Sequence, residues 1–165
     1  EEEKVYFLLN KPKGYLCTNA PGKKRVIDLF KAVPYRLFTV GRLDKDTEGL
    51  IIVTNDGDFA QKLIHPSSDI EKEYIAEVDQ PLTEKHLKQM AKGTLVEGTF
   101  VKPVLVEKVR SHVVKIIVSE GKKREVRCLI AAAGLETVAL KRVRIGNLHL
   151  HRLPVGHFRP LNPSE

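Results

Sequence analysis

Residues 44–49 read Asp-Lys-Asp-Thr-Glu-Gly and place carboxylates at alternate positions, on Asp44, Asp46 and Glu48. Carboxylates so spaced serve as metal ligands, nucleophiles or general bases. Asp44, Asp46, Glu48, Gly49 and Ile51 fall where positions 1, 3, 5, 6 and 8 of a calcium-binding EF-hand loop would lie, but position 12 is Asn55, not a bidentate Glu. That loop also needs a helix on each side. Asp44, Asp46 and Thr47 satisfy the DxDxT pattern of magnesium-dependent phosphatases, whose first Asp attacks phosphorus. Such chemistry sits on a parallel sheet with crossover helices, for which this chain has too few helical segments. Taken singly, Asp44 is an ordinary turn former. The six histidines form no HExxH pattern, and His149 and His151 alone seldom complete a site, so no metal is expected. Cys17 and Cys128 lack CxxC spacing and read as reduced thiols, which fits a cytoplasmic protein.

The elements that must hold this loop follow from periodicity. Val5 to Asn10 reads as a strand that Pro12 and Gly14 break, and a lysine-rich loop follows. Leu37 to Val40 and Leu50 to Thr54 are short, largely β-branched strands, so GRLDKDTEG is fastened at both ends. After the Asn55-Asp56-Gly57 turn, Asp58 is placed to cap a short helix bearing Phe59, Leu63 and Ile64. Tyr74 to Val78 is another strand. Thr83 can cap a helix that buries Leu87 and Met90 and stops at Gly93. Pro103 to Val109 and Val113 to Ser119 form a hairpin about Arg110-Ser111-His112. Val126, Leu129, Ile130 and Ala133 follow i, i+3, i+4, i+7, which predicts a helix closed by Gly134 and carrying Arg124 and Arg127 three apart. Strands return at Val138 to Val143, Leu148 to His151 and Phe158 to Leu161. Many strands without regular βα alternation predict an α+β fold on a mostly antiparallel sheet. Asp79 to Leu82 is a candidate join between subdomains of about residues 1–78 and 79–165.

Charge is unevenly spread. Residues 1–100 hold 15 Lys and Arg against 16 Asp and Glu, whereas residues 101–165 hold 13 against 5. A basic second half suits a polyanion such as RNA, whose phosphates release counterions when neutralised. No apolar run is long enough to cross a bilayer, and the acidic start has no signal-peptide pattern, so no membrane association is expected.

Gly41-Arg42-Leu43-Asp44 with Asp46-Thr47-Glu48-Gly49-Leu50 resembles the signature of the pseudouridine synthase family that includes the small-subunit and large-subunit ribosomal RNA enzymes. Further blocks agree in order. They are Asn10-Lys11-Pro12-Lys13-Gly14, Thr54-Asn55-Asp56-Gly57, His65-Pro66, Lys72-Glu73-Tyr74, Glu120-Gly121-Lys122-Lys123-Arg124-Glu125-Val126-Arg127 and Leu140-Lys141-Arg142-Val143-Arg144-Ile145-Gly146. The resemblance covers about residues 5 to 161. It implies that the whole chain, 1–165, is the catalytic domain, with a central RNA-binding cleft, no cofactor, ribosomal RNA as partner and a monomeric state.

By that resemblance Asp44 is the catalytic carboxylate, Arg127 its charge partner, and Tyr74 the aromatic that stacks on uracil. Arg42 would fill the space of a flipped nucleotide, and Lys11, Lys13, Lys122, Lys123, Arg124, Lys141 and Arg144 would hold phosphates. Two departures stand out. Nothing before Val5 can form the N-terminal S4-like RNA-binding domain that many members carry, and Cys128 stands where relatives usually have a second Arg. The Arg-Glu-Val-Arg block leans toward large-subunit ribosomal RNA as the substrate. A competing class is an RNA-binding module of the same fold without catalysis.

Overall fold

The computed structural model describes residues 3–22, 24–65, 69–119 and 124–161. In chain order the elements are β1 (Tyr6–Lys11), a 3-10 helix (Val26–Phe30), β2 (Phe38–Val40), β3 (Glu48–Thr54), α1 (Gly57–Ile64), β4 (Lys72–Val78), α2 (Glu84–Ala91), β5 (Thr94–Val96), β6 (Thr99–Val101), β7 (Leu105–Arg110), β8 (Val113–Val118), α3 (Glu125–Ala132), β9 (Thr137–Ile145), β10 (Leu148–His149) and β11 (Phe158–Pro160). The chain divides into two compact units, residues 1–68 with 147–165, and residues 69–146. The break expected near residue 78 thus falls earlier, and the C-terminal segment returns to the first unit. The reason lies in pairing: β4 hydrogen-bonds to β8 and β9, while β11 pairs with β1.

In the first unit β11, β1, β3 and β2 pair in that order, all antiparallel. Leu8, Leu9, Leu50, Ile51, Ile52 and Val53 are consecutive apolar residues with at most 1% exposure, so β1 and β3 are covered on both faces. That explains why they lack an in-out alternation. Phe7, Phe30 and Phe158 pack with ring centroids 4.2 to 5.4 Å apart. The cap of α1 is Asp56, not Asp58: its carboxylate accepts from Phe59 N–H at 3.2 Å and from the Tyr6 hydroxyl at 2.5 Å. The same turn is tied to the residue before β1 through Asn55, whose Oδ1 accepts from Val5 N–H at 2.8 Å.

In the second unit β9, β4, β8 and β7 pair antiparallel in that order. Ala76, Val78, Val114, Ile116, Val118 and Leu140 line one face of this sheet and meet Val126, Leu129 and Ile130 of α3 and Met90 of α2. The hairpin of β5 and β6 was not foreseen. It follows α2 directly because Gly93 adopts φ +87°, and a Cβ there would come within 2.2 Å of the Val101 carbonyl. Only glycine permits that approach. No helix among the described residues is long and apolar enough to cross a membrane. The α+β architecture on antiparallel sheet agrees with the sequence-based expectation.

Candidate active site

The loop that carries Asp44 begins where β2 ends. Gly41 turns the chain at φ +72°, Arg42 is exposed, and Leu43 is 7% exposed, so its side chain pins the loop inward. Asp44 is half-buried and its carbonyl accepts from Thr47 N–H at 3.0 Å, closing a turn that presents Lys45 and Asp46 to solvent. Thr47 is buried and β3 starts at Glu48. The flanking elements are therefore strands, which removes the helix-loop-helix geometry a calcium loop requires. The antiparallel pairing of β1, β2 and β3 likewise differs from the parallel sheet that the DxDxT phosphatase reading needs.

Beneath this turn lies Lys11, the last residue of β1. It is 0% exposed, and its ammonium donates to the carbonyls of Thr47 at 2.8 Å, Pro12 at 3.1 Å and Lys45 at 3.3 Å. Three N–H groups meet three acceptors. Burial pushes the Lys11 ammonium below the ordinary lysine value, while electrostatic interaction with Cys17, Asp46, Glu48 and Asp44 opposes that shift. Lys11 therefore corrects the sequence-based expectation. It is no phosphate ligand but the internal fastener of the loop. Two more ties reinforce it: Gly14 N–H donates to the Lys45 carbonyl at 2.7 Å, and Leu43 N–H donates to Cys17 Sγ at 3.5 Å. Lys13, two residues on, is exposed and faces solvent.

In the second unit Tyr74 sits on β4, half-buried and packed against the core face. Its cross-strand neighbours are Ile116 on β8 and Arg142 on β9. A register shift between Glu73 and Tyr74 moves the opposing residue from Arg144 to Arg142. Such bulges re-aim side chains, often beside functional sites. Arg142 is 4% exposed and Glu125, at the start of α3, is 3% exposed. Lys72 lies two residues before Tyr74, on the same face by strand alternation. Burial lowers its ammonium from the usual lysine value, Arg142 lowers it further, and Glu125 opposes them. Lys72, Glu125 and Arg142 form a charge group that sequence reasoning missed. The signal that could have found it is the two-residue spacing of Lys72 and Tyr74.

Arg127 is half-buried on the first turns of α3, and Arg124 is exposed at its N-cap with φ +57°. Lys141 pairs with Ile75 and so alternates onto the sheet face opposite Tyr74. Arg144, expected at phosphates, is instead spent within the fold. Its guanidinium donates to Glu73 at 3.0 Å, to Glu71 at 3.3 Å and to the Gly146 carbonyl at 2.8 Å. Those carboxylates raise it further above its already high value. Lys122, Lys123 and Pro66 lie outside the described residues.

Known proteins resemble this chain over nearly its whole length. Residues 5–132 match the RNA pseudouridylate synthase family. The chain is 38% identical to ribosomal large subunit pseudouridine synthase B of Bacillus subtilis, over 99% of this chain and 70% of that protein. It is 49% identical to chloroplastic SVR1 of Arabidopsis thaliana, over 98% of this chain but 44% of the plant protein. It is 38% identical to the dual-specificity RNA pseudouridine synthase RluF of Escherichia coli K12, spanning 57% of its length. A crystal structure of a pseudouridylate synthase superposes with a TM-score of 0.90 at 34% identity, covering 99% of this chain and 73% of that one.

Proposed function

This chain belongs to the RNA pseudouridylate synthase family, and on that premise we propose that it isomerises a uridine of large-subunit ribosomal RNA to pseudouridine. The reaction breaks the bond from ribose C1′ to uracil N1, rotates the base, and joins C1′ to C5. C5 loses a proton, N1 gains one, and no electrons are exchanged, so the chemistry calls for no redox cofactor. It calls for an ionised carboxylate beside the base and ribose, an aromatic to hold the freed base, and a cation to keep the carboxylate charged. Asp44, Tyr74 and Arg127 take these roles. The target must leave its stack, which costs a few kcal/mol. Stacking on an aromatic returns about 1–3 kcal/mol. Arg42 fills the vacated space, and Lys13, Lys122, Lys123 and Arg124 supply phosphate contacts that give affinity more than sequence choice.

The observation that carries this reading is the construction of the Asp44 loop. An incidental surface turn needs no fully buried lysine, yet here three backbone and side-chain ties converge beneath the residue assigned the chemistry. Preorganisation of that kind is what a reacting carboxylate requires. The name of the Bacillus relative supports large-subunit ribosomal RNA as substrate, and that of the Escherichia relative supports RNA. The test is turnover on unmodified large-subunit ribosomal RNA transcripts, with pseudouridine mapped by reverse transcription. One modified uridine is the expected result. Tight binding with no pseudouridine anywhere would identify a silent RNA-binding module instead.

A further inference from the structure

Within the first unit a cleft of about 300 Å³ opens beside β2, lined by Asn19, Arg25, Ile27, Phe30, Tyr35, Arg36 and Leu37. Its size lies at the small end of ligand sites. Phe30 is 3% exposed and Leu37 5%, and Phe30 packs on Phe158 at 4.2 Å between ring centroids, so the inner wall is close-packed. The rim differs. Arg36 and Asn19 are exposed, and Tyr35 is half-buried with its hydroxyl turned to Glu3 at 3.3 Å. Arg25 is locked by Asp28 at 2.7 Å and donates to the Asn19 carbonyl at 3.0 Å. An aromatic ring, a planar guanidinium and an amide around a close-packed inner wall match what a nucleobase needs: faces to stack on and an edge partner.

The cleft is also tied to the Asp44 loop. β2 leads from Leu37 at the cleft wall to Gly41 at the start of that loop, roughly 13 Å at a strand's rise per residue. A second link runs through Cys17 and Asn19: Cys17 Sγ receives Leu43 N–H at 3.5 Å, and Asn19 Nδ2 donates to the Leu37 carbonyl at 3.4 Å. We infer that this cleft is a subsite for the base of a nucleotide flanking the target uridine in the RNA substrate, stacked against Tyr35 and Arg36. The inference rests on the isomerase reading above.

A double-mutant cycle tests it. Once an unmodified large-subunit transcript has located the target uridine, oligonucleotides bearing that target receive an abasic nucleotide at each flanking position in turn. Binding by fluorescence anisotropy and single-turnover pseudouridine formation are then compared for the wild type, for Arg36→Ala, which alters an exposed residue, and for Ile27→Trp, which fills the cleft. In the wild type, loss of the base at one flanking position should weaken binding about tenfold. In either variant the same omission should cost about twofold or less, because the contact is already gone. An abasic penalty of equal size in wild type and variants at every position overturns the inference. So does a loss on Arg36→Ala that is uniform along the RNA and vanishes at high salt, which marks a plain phosphate contact. Wild-type turnover with no coupled position removes the subsite alone, whereas a wild type that modifies no uridine removes the reaction and the subsite together.

Discussion

Replacing Lys11 by Met should loosen the Asp44 loop without touching RNA affinity. Methionine keeps much of the apolar stem and removes the ammonium, leaving three carbonyls to find other donors. The Thr47 carbonyl is buried, and an unsatisfied buried acceptor costs about 1–3 kcal/mol. The Pro12 and Lys45 carbonyls are only part-buried, so water can replace most of what they lose, leaving about 0.5–1.5 kcal/mol each. Relief of the cost of burying an ammonium offsets part of this sum. The net destabilisation should be about 2–4 kcal/mol, against a domain stability of about 5–15 kcal/mol. Urea unfolding followed by far-UV circular dichroism reads it. Because displacement of a reacting group by about 1 Å can cost about a hundredfold, the single-turnover rate at saturating RNA should fall steeply. The salt dependence of binding should stay at the wild-type slope. A variant as stable as wild type, with an intact saturated rate and a slope reduced by about one phosphate contact, would refute the reasoning and return Lys11 to the RNA surface.

Arg144→Ala should likewise cost stability, about 1–2 kcal/mol given that the Glu73 and Glu71 partners are partly exposed, while the salt slope of RNA binding stays put. A reduced slope with unchanged urea midpoint would contradict it. Asp56 predicts an acid limit to the first unit: the Tyr6 hydroxyl and Phe59 N–H hold its carboxyl below the ordinary value. A depressed folded pKa contributes stability that is complete above the unfolded value near about 3.9 and is lost as pH falls through the folded pKa. Asp56→Asn keeps an acceptor for Phe59 and removes the titration, so its thermal midpoint should fall less over that acid range; parallel curves would sink the assignment. Asp46→Asn, at an exposed position, should keep the saturated rate within a few fold in excess EDTA. Loss of turnover that magnesium restores would revive a metal-loop reading.

Elements with long apolar or helical periodicity were legible in the sequence: β1, β3, β4, β8 and α3 fall close to where the pattern puts them. The three-residue strands β5 and β6 were not, because Leu95 and Phe100 are exposed and leave no burial pattern. The usable signal was Glu97-Gly98, a turn with positive φ at both residues. For the same reason of range, side-chain roles outran the sequence. Nothing local distinguishes Lys11, whose ammonium turns inward, from exposed Lys13 two residues away. Arg144 reads as one more cation of a basic segment until cross-strand register sets it opposite Glu73. Asp44 itself was legible only through its neighbours, since Gly41 to Leu50 together specify a turn pinned between strands that no single Asp would.

The central claim is that Asp44 does the chemistry, and Asp44→Asn tests it most directly, because the amide keeps the side chain's shape and removes its charge. On an unmodified large-subunit transcript the variant should bind with nearly the wild-type Kd and form no pseudouridine at any position under single-turnover conditions. Pseudouridine accumulating at the wild-type site at a rate within about tenfold of wild type would contradict the account, since loss of a nucleophile or catalytic base costs far more than that.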